Sequence, residues 1–319
     1  MEKELALILK GLSLEDDENE LKKSVDRFYT ISGDKKLEIK TIKSLLPPIV
    51  ELLKKWKTIS NQNIISTALK AISSLVNDEI SSEEVSSYFV NINLTLIIQR
   101  ILNESIDSKI YGQITLSSLS CIGDLILNSN YLLNNIASNS FITIVTSKLM
   151  KSTNPKIIRE CYWIISNIVS DNHKFLQLVI DSGFLMKLIT DYLEPENLNY
   201  ETNDKIKYEM YWCIINSLDI GELYQFQLII SEYKCLQFLQ CAKKNLKKIS
   251  SEYYQTITKI IVKTLEVCQK ERSTTFYKKF ISDSFITSIL EENDGDLDTS
   301  NYENIKYVLT NLNNFIKTL

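Results

Sequence analysis

Two segments of the sequence carry the same polar and aromatic side chains at the same spacing. One reads ECYWIISN from Glu160, and the other reads EMYWCIIN from Glu209. In both, Glu, Trp and Asn stand at positions i, i+3 and i+7, which a helix places on one face. An indole can lie against the stem of a lysine or arginine and attract its charge, and a side-chain amide can hydrogen-bond a peptide backbone. Such a face could hold an extended peptide. The residues in the indole and amide positions are Trp163, Asn167, Trp212 and Asn216.

Each of these residue types also has a plainer interpretation. A Trp on an amphipathic helix is more often part of the hydrophobic core than of a binding surface. The asparagine four residues further on favours a groove, because a buried Asn would need hydrogen-bond partners that apolar neighbours do not offer. Glu160 and Glu209 either attract a basic ligand or are ordinary solvated charges. Asp171, four residues after Asn167, is either a third acid of the groove or a helix-end residue.

The elements that carry these side chains belong to a repeating pattern. An apolar block recurs every 43 to 51 residues, and a longer segment with apolar residues at helical spacing lies between successive blocks. Repeats of two or three helices have periods of about 40–47 residues. The blocks begin at Leu46, Leu94, Phe141, Phe184, Cys235 and Phe285. The longer segments span residues 65–76, 114–127, 157–169, 206–218 and 254–267. With only 7 Gly and 4 Pro, the sequence predicts one all-α solenoid over residues 1–319, with about six to seven repeats.

Composition narrows the classes of function. The net charge of −4 argues against a nucleic-acid partner and suits a basic peptide. No apolar run approaches membrane-spanning length, so we expect no membrane partner. The six cysteines lack paired spacing and are expected to be reduced thiols. His173 is the only histidine, which speaks against catalytic triads and histidine-based metal sites. We therefore expect no catalytic residues, no bound metal and no cofactor.

The residues from Ile158 to Ile168, followed by QLVIDSG at 177–183, resemble an armadillo repeat of the importin-α family, the adaptors that recognise nuclear localisation signals. The segment from Lys207 to Ile230 resembles the same family, and residues 8–53 and 302–308 look like its first and closing repeats. In that family the third helix of each repeat lines a concave groove. The resemblance implies that Trp163 and Trp212 stack on basic side chains and that Asn167 and Asn216 bind the ligand backbone. It also implies that Glu160, Glu209 and Asp171 supply the negative charge.

The sequence also departs from the family. The Trp and Asn positions of the second repeat read Lys70 and Ser74, and those of the third read Ser120 and Asp124. A cation at a Trp position repels a cationic ligand, so the family's main N-terminal cargo site looks degraded. Residues 1–24 also contain no basic importin-β-binding segment, so we expect weak or absent binding of an importin-β-type carrier through them.

The sequence near the C-terminus carries a further expectation from the resemblance. The last repeats, with the acidic run at residues 291–298, are expected to dock an export carrier, although such a run is more often a solvated loop.

Together these features predict a non-enzymatic, importin-α-like receptor for basic nuclear localisation signals, found in the cytoplasm and the nucleus. The alternative is an armadillo-repeat scaffold that binds other proteins and is not dedicated to nuclear import.

Overall fold

The computed structural model describes residues 2–13, 17–33, 37–76, 83–106, 112–198, 203–246, 250–280 and 299–318. Throughout these ranges the regular elements are helices, and no strand occurs among them. The prediction of an all-α fold is therefore confirmed. The predicted apolar block at Phe285 and the acidic run at residues 291–298 lie outside the described residues. The chain divides into two compact units, Met1–Ile168 and Val169–Leu319. The prediction of a single solenoid over residues 1–319 stays a prediction.

The first unit contains helices that follow one another in short connections. They are α1 (Glu2–Leu12), α2 (Glu18–Ser32), α3 (Ile39–Lys54), α4 (Gln62–Ser74), α5 (Glu83–Asn91), α6 (Leu94–Ser105), α7 (Gly112–Asn128), α8 (Asn130–Ile136), α9 (Asn139–Thr143) and α10 (Pro155–Asp171). A 3-10 turn at Trp56–Thr58 follows α3, and a π-helical turn at Ile144–Lys148 continues α9. The last residues of α10 belong to the second unit.

Equivalent helices of successive repeats pack on one another in the first unit. One row consists of α2, α4 and α7, a second of α3 and α6, and a third of α5 and α8. The apolar faces that the sequence pattern predicted are buried between these rows. Ile65, Leu69 and Ile72 of α4 are fully buried, as are Ile114 and Leu125 of α7. One repeat alone could not bury such a face, so neighbouring repeats complete each other's core.

The second unit repeats the same three-helix pattern. It contains α11 (His173–Asp181), α12 (Phe184–Leu193), α13 (Asp204–Ile220), α14 (Leu223–Glu232), α15 (Cys235–Asn245), α16 (Ser250–Glu271), α17 (Thr275–Phe280) and α18 (Thr299–Thr318). Here α12 packs on α15, α13 on α16, and α16 on α18. The third helix of each triplet, α13 or α16, is therefore held between the other two helices of its repeat and the third helix that follows.

In three repeats, the residue at the sharp turn before the second helix has a left-handed backbone conformation. Asn93, Gly183 and Lys234 have φ angles of 57°, 74° and 55°, and each immediately precedes α6, α12 or α15. Gly and Asn adopt this region readily, whereas a lysine there is strained by about 1 kcal/mol or more. The turn is thus kept even where its residue is unfavourable, because the packing of the following helix fixes it.

Within the described residues no single helix is long and apolar enough to span a membrane, and one pair bent by 60°, α5 with α6, meets the length and composition test together. All six cysteines are free thiols, and all but Cys241 are buried.

Candidate functional site

The two helices that carry the repeated motif begin with conventional helix-start signals. Pro155 is the first residue of α10, where its fixed φ angle suits the helix and its missing N–H is not needed. Asn203 caps α13, and its side chain accepts a hydrogen bond from the backbone N–H of Ile206 at 3.1 Å. Residues 157–169 and 206–218, predicted as amphipathic segments, lie within these helices. The rotation of each helix about its own axis decides which motif residues reach the surface.

The motif residues Trp and Asn are the partly exposed members of an otherwise buried stretch in each helix. In α10, Trp163 and Asn167 are partly exposed, while residues 164–166 between them are buried. In α13, Trp212 and Asn216 are partly exposed, and residues 213–215 are buried. The remaining tryptophan, Trp56, is only 3% exposed. One tryptophan of the chain is thus a core residue, and the two in the motif keep part of their surface accessible.

Trp163 lies directly against the backbone of the neighbouring helix α7. A Cβ atom added to Gly123 would come within 2.1 Å of Cζ3 of the Trp163 indole. Only glycine leaves enough space for the six-membered ring to lie this close to the helix. Gly123 was not among the predicted site residues. A glycine in the middle of a helical segment, where it lowers helix stability by about 1 kcal/mol relative to Ala, was the signal that could have found it.

Glu160 does not stand free beside Trp163. It is 8% exposed, and its carboxylate lies 2.8 Å from Nη2 of Arg159. The hydroxyl of Ser120 on α7 donates a second hydrogen bond to it at 3.0 Å. This carboxylate is therefore partly neutralised within the protein, and it ties α10 to α7.

Trp212 contacts aromatic residues of its own helix. The ring centroids of Tyr208 and Tyr211 each lie 6.0 Å from that of Trp212, with interplanar angles of 79° and 72°. Both contacts are edge-to-face, an arrangement worth about 0.5–1.5 kcal/mol beyond area burial. Tyr211 is buried and Tyr208 is partly exposed. Tyr208 therefore adds a second partly exposed ring one turn before the indole.

The other two predicted acids occupy different settings. Glu209 is partly exposed on α13, and Asp171 is exposed at the last residue of α10. Asp171 belongs to the second unit, whereas Glu160, Trp163 and Asn167 belong to the first. The role predicted for each acid stays a prediction.

Two lysines on α16 were missed by sequence reasoning, and both contact the C-terminal end of α13. Nζ of Lys263 donates hydrogen bonds to the carbonyl oxygens of Leu218, Asp219 and Gly221 at 2.6, 2.8 and 2.8 Å. Burial lowers the pKa of Lys263, and the charge of Asp219 opposes that shift. Lys259, one turn earlier, pairs with the Asp219 carboxylate at 2.8 Å. A cation at this helix end satisfies carbonyls that lack helical partners.

The four positions that looked degraded in the second and third repeats come together in the first unit. Lys70, Ser74, Ser120 and Asp124 all line one cavity of about 330 Å³ between α2, α4 and α7. Sequence reasoning treated these positions as a loss of the tryptophan and asparagine side chains. The structure shows that the side chains at these positions share one cavity.

The described residues hold no group of three or more His, Cys, Asp and Glu side chains that could bind a metal ion. His173, the single histidine, lies at the start of α11 with Nε2 at 3.2 Å from the Glu222 carboxylate.

Neither a protein-family model nor a curated protein matches the sequence. Solved structures do match. One is a designed armadillo-repeat protein in complex with the peptide (KR)4, with a TM-score of 0.63 and 18% identity, covering 80% of this chain and 97% of that one. Another, described as computationally designed armadillo repeat proteins for modular peptide recognition, has a TM-score of 0.59 and 16% identity, covering 80% and 98%.

A third match, also a designed armadillo-repeat protein, has a TM-score of 0.59 and 18% identity and covers 75% of this chain and 94% of that one. These similarities show the fold of this chain, which is an all-α armadillo-repeat solenoid. At these low sequence identities, the similarities are evidence for the fold only. Membership of the importin-α family is not shown by them and remains a resemblance of the sequence.

Proposed function

We propose that this protein is a non-enzymatic armadillo-repeat scaffold that binds an extended segment of a partner protein. Trp163 with Asn167 in the first unit, and Trp212 with Asn216 in the second, are the proposed contacts. The observation that carries the proposal is their exposure: in both helices the Trp and Asn residues are partly exposed while the residues between them are buried, although Nδ2 of the Asn167 amide is itself buried. Each pair is suited to one basic side chain and to the peptide backbone beside it.

A partner segment rich in lysine or arginine fits each of the two pairs best. The indole rings attract cations, and Glu209 and Asp171 are the further proposed sources of negative charge, whereas the charge of Glu160 is partly neutralised by Arg159. The structurally similar designed protein that carries the peptide (KR)4 supports this choice of ligand class. Cation–π contact and packing of the ligand's aliphatic stem are worth about 0.5–2 kcal/mol at each indole.

The finer candidate function is recognition of basic nuclear localisation signals. The Glu, Trp and Asn spacing of α10 and α13, which resembles that of the importin-α family, favours it. Its partners would then include signal-bearing cargo, an import carrier of the importin-β type and an export carrier, and the protein would work in the cytoplasm and nucleus. The general scaffold requires none of these partners.

The binding surface is tested by fluorescence anisotropy with a labelled lysine-rich peptide and a control peptide in which glutamine replaces each lysine. We expect the parent to bind only the basic peptide. A Trp163→Ala/Trp212→Ala variant should bind it roughly ten- to a thousand-fold more weakly, since about 1.4 kcal/mol is a factor of ten.

Tyr131→Ala is the matched control, because Tyr131 is an exposed aromatic residue on α8, a first helix of its repeat. Its affinity should equal that of the parent. If the double variant folds and binds the basic peptide as tightly as the parent, Trp163 and Trp212 are not the proposed binding contacts. A nuclear localisation signal and a shuffled peptide of the same composition separate the two candidates: equal affinity for both supports the general scaffold against the import receptor.

A further inference from the structure

Four serines are among the side chains that line the cavity between α2, α4 and α7. Ser73 and Ser74 come from α4, Ser117 and Ser120 from α7, and the exposed ring of Tyr29 from α2 stands at its edge. Its volume of about 330 Å³ exceeds that of one long amino-acid side chain. Serine hydroxyls can both donate and accept hydrogen bonds, so a polar group that enters this cavity finds several partners.

Asp124 is the acidic group of this cavity. Its side chain is partly buried, and burial is the main cause that raises its pKa. The negative charge of Glu160 raises the pKa further, while a hydrogen bond from the Ser73 side chain lowers it. In the part of the chain that the structure describes, no salt bridge reaches Asp124, whereas Glu160 is paired with Arg159 at 2.8 Å. Asp124 is thus a partly desolvated carboxylate without a cation.

Lys70 is the cation that lines the same cavity, and it is exposed. Its ammonium group makes no salt bridge to Asp124. A second cation that entered the cavity would nevertheless be repelled by the positive charge of Lys70. This gives Lys70 the opposite expected effect from Asp124.

We propose that this cavity binds the ammonium or guanidinium group of a lysine or arginine side chain of the partner segment, with Asp124 as its ion-pair partner. The inference deepens the proposed function and rests on it for the polypeptide that carries the cation. The ligand's N–H groups donate to the Asp124 carboxylate and to the hydroxyl oxygens of Ser74 and Ser117. The hydroxyl of Ser120 donates its proton to Glu160, and its oxygen can still accept.

The cavity differs in kind from the tryptophan positions. At Trp163 and Trp212 the ligand's charge meets an aromatic face, which tolerates many orientations. At Asp124 the charge meets a carboxylate surrounded by hydroxyl groups, which requires a donor at a defined place. A carboxylate held without a cation in the free protein reduces stability, and binding of a cation removes that penalty. Sites of this kind commonly trade stability for binding.

The test compares Asp124→Asn with the parent, using the labelled lysine-rich peptide and thermal unfolding of the same samples. We expect roughly ten-fold weaker binding, the loss of one charge-assisted contact, together with a melting temperature equal to or above that of the parent. Glu83→Gln is the control, because it removes an exposed charge on α5. Lys70→Met should bind the peptide about two- to five-fold more tightly.

A second variant tests the inference independently, in case Asp124→Asn does not fold. Gln113 lines the cavity and is exposed, so Gln113→Lys adds a competing cation without disturbing the core, and we expect weaker binding. The inference fails if Asp124→Asn and Gln113→Lys both bind like the parent while Trp163→Ala/Trp212→Ala binds weakly; the proposed function then stands without this cavity. Weak binding by the cavity variants with parental affinity of the double tryptophan variant would instead support the cavity and remove the tryptophan surface.

Discussion

The two copies of the motif are supported in different ways, although their sequences are nearly the same. In the first unit, the Trp163 indole lies on Gly123 of the neighbouring helix α7. In the second unit, Trp212 meets the edges of Tyr208 and Tyr211 on its own helix, and the end of that helix is held by Lys263 of α16. The residue one turn before the indole is Arg159 in one copy and Tyr208 in the other. A short motif thus specifies which residues face outward, and the surrounding helices decide how firmly each is held.

The largest expected effect is a reversal of sign at Gly123. Gly123→Ala should destabilise the parent by about 1–3 kcal/mol, because the new methyl group would overlap the Trp163 ring. In a Trp163→Ala background the same change should stabilise the protein by up to about 1 kcal/mol, because alanine favours the helix more than glycine does. Denaturant unfolding of the four proteins in this cycle measures the coupling. An identical effect of Gly123→Ala in both backgrounds would show that the indole does not rest on this residue.

Lys263 provides the corresponding test in the second unit. Lys263→Met keeps most of the side-chain length but leaves three carbonyl oxygens at the end of α13 without their donor. We expect a loss of about 1.5–3 kcal/mol in the free energy of unfolding, the usual value for hydrogen bonds to a charged group. Lys259→Met is the matched control: its ion pair with Asp219 is exposed on both sides and should contribute about 0–1 kcal/mol. Equal effects of the two substitutions would contradict the capping role.

Tyr208 sharpens the comparison at the indole itself. Tyr208→Leu removes the edge-to-face contact with Trp212 and should cost about 0.5–1.5 kcal/mol of stability. Binding of the labelled lysine-rich peptide should weaken by less than it does in Trp212→Ala, because the indole remains but is less restrained. Chemical unfolding and anisotropy measure the two effects. If peptide affinity fell as far as in Trp212→Ala, Tyr208 would itself be a ligand contact and not a support.

The smallest expected effect is a dependence of stability on pH that arises from Asp124 on α7. The groups around Asp124 that can carry charge are Tyr29, Lys70, Cys121 and Glu160. Because burial raises the pKa of Asp124 in the folded state above its unfolded value, the folded protein holds this proton more tightly. The stabilising contribution of the protonated Asp124 is therefore present at low pH and is lost as the pH rises through the pKa of Asp124 in the folded protein.

Asp124→Asn removes this ionisation. It should be more stable than the parent at pH 7, and the difference should shrink as the pH falls toward the ordinary aspartate value of about 3.9. Denaturant titrations between pH 7 and pH 4 measure this trend. If the difference in stability between the two proteins stayed constant over this range, it would not arise from ionisation of the Asp124 carboxylate.

The sequence predicts the helices of this protein well, because apolar spacing reports directly on the buried face. Residues 157–169 and 206–218 were expected to be amphipathic and lie within α10 and α13. Spacing along one helix does not report which atoms meet between helices some 40 residues apart. The contact of Trp163 with Gly123 and the bond from Ser120 to Glu160 are of that kind. The cavity around Asp124 is another, since residues that read as losses in the sequence come to line one cavity only after the helices are packed.

The position of Gly123 also limits how the repeats can be exchanged as modules. The indole belongs to one repeat and the residue beneath it to the repeat before, so a repeat transplanted alone would arrive without its support. To engineer a third indole at Ser120, the preceding helix would need a small residue at the place equivalent to Gly123. Ser73 stands there, one position before Ser74 as Gly123 stands one before Asp124. Ser120→Trp should therefore be introduced together with Ser73→Gly, and the interchangeable unit of this solenoid runs from one third helix to the next.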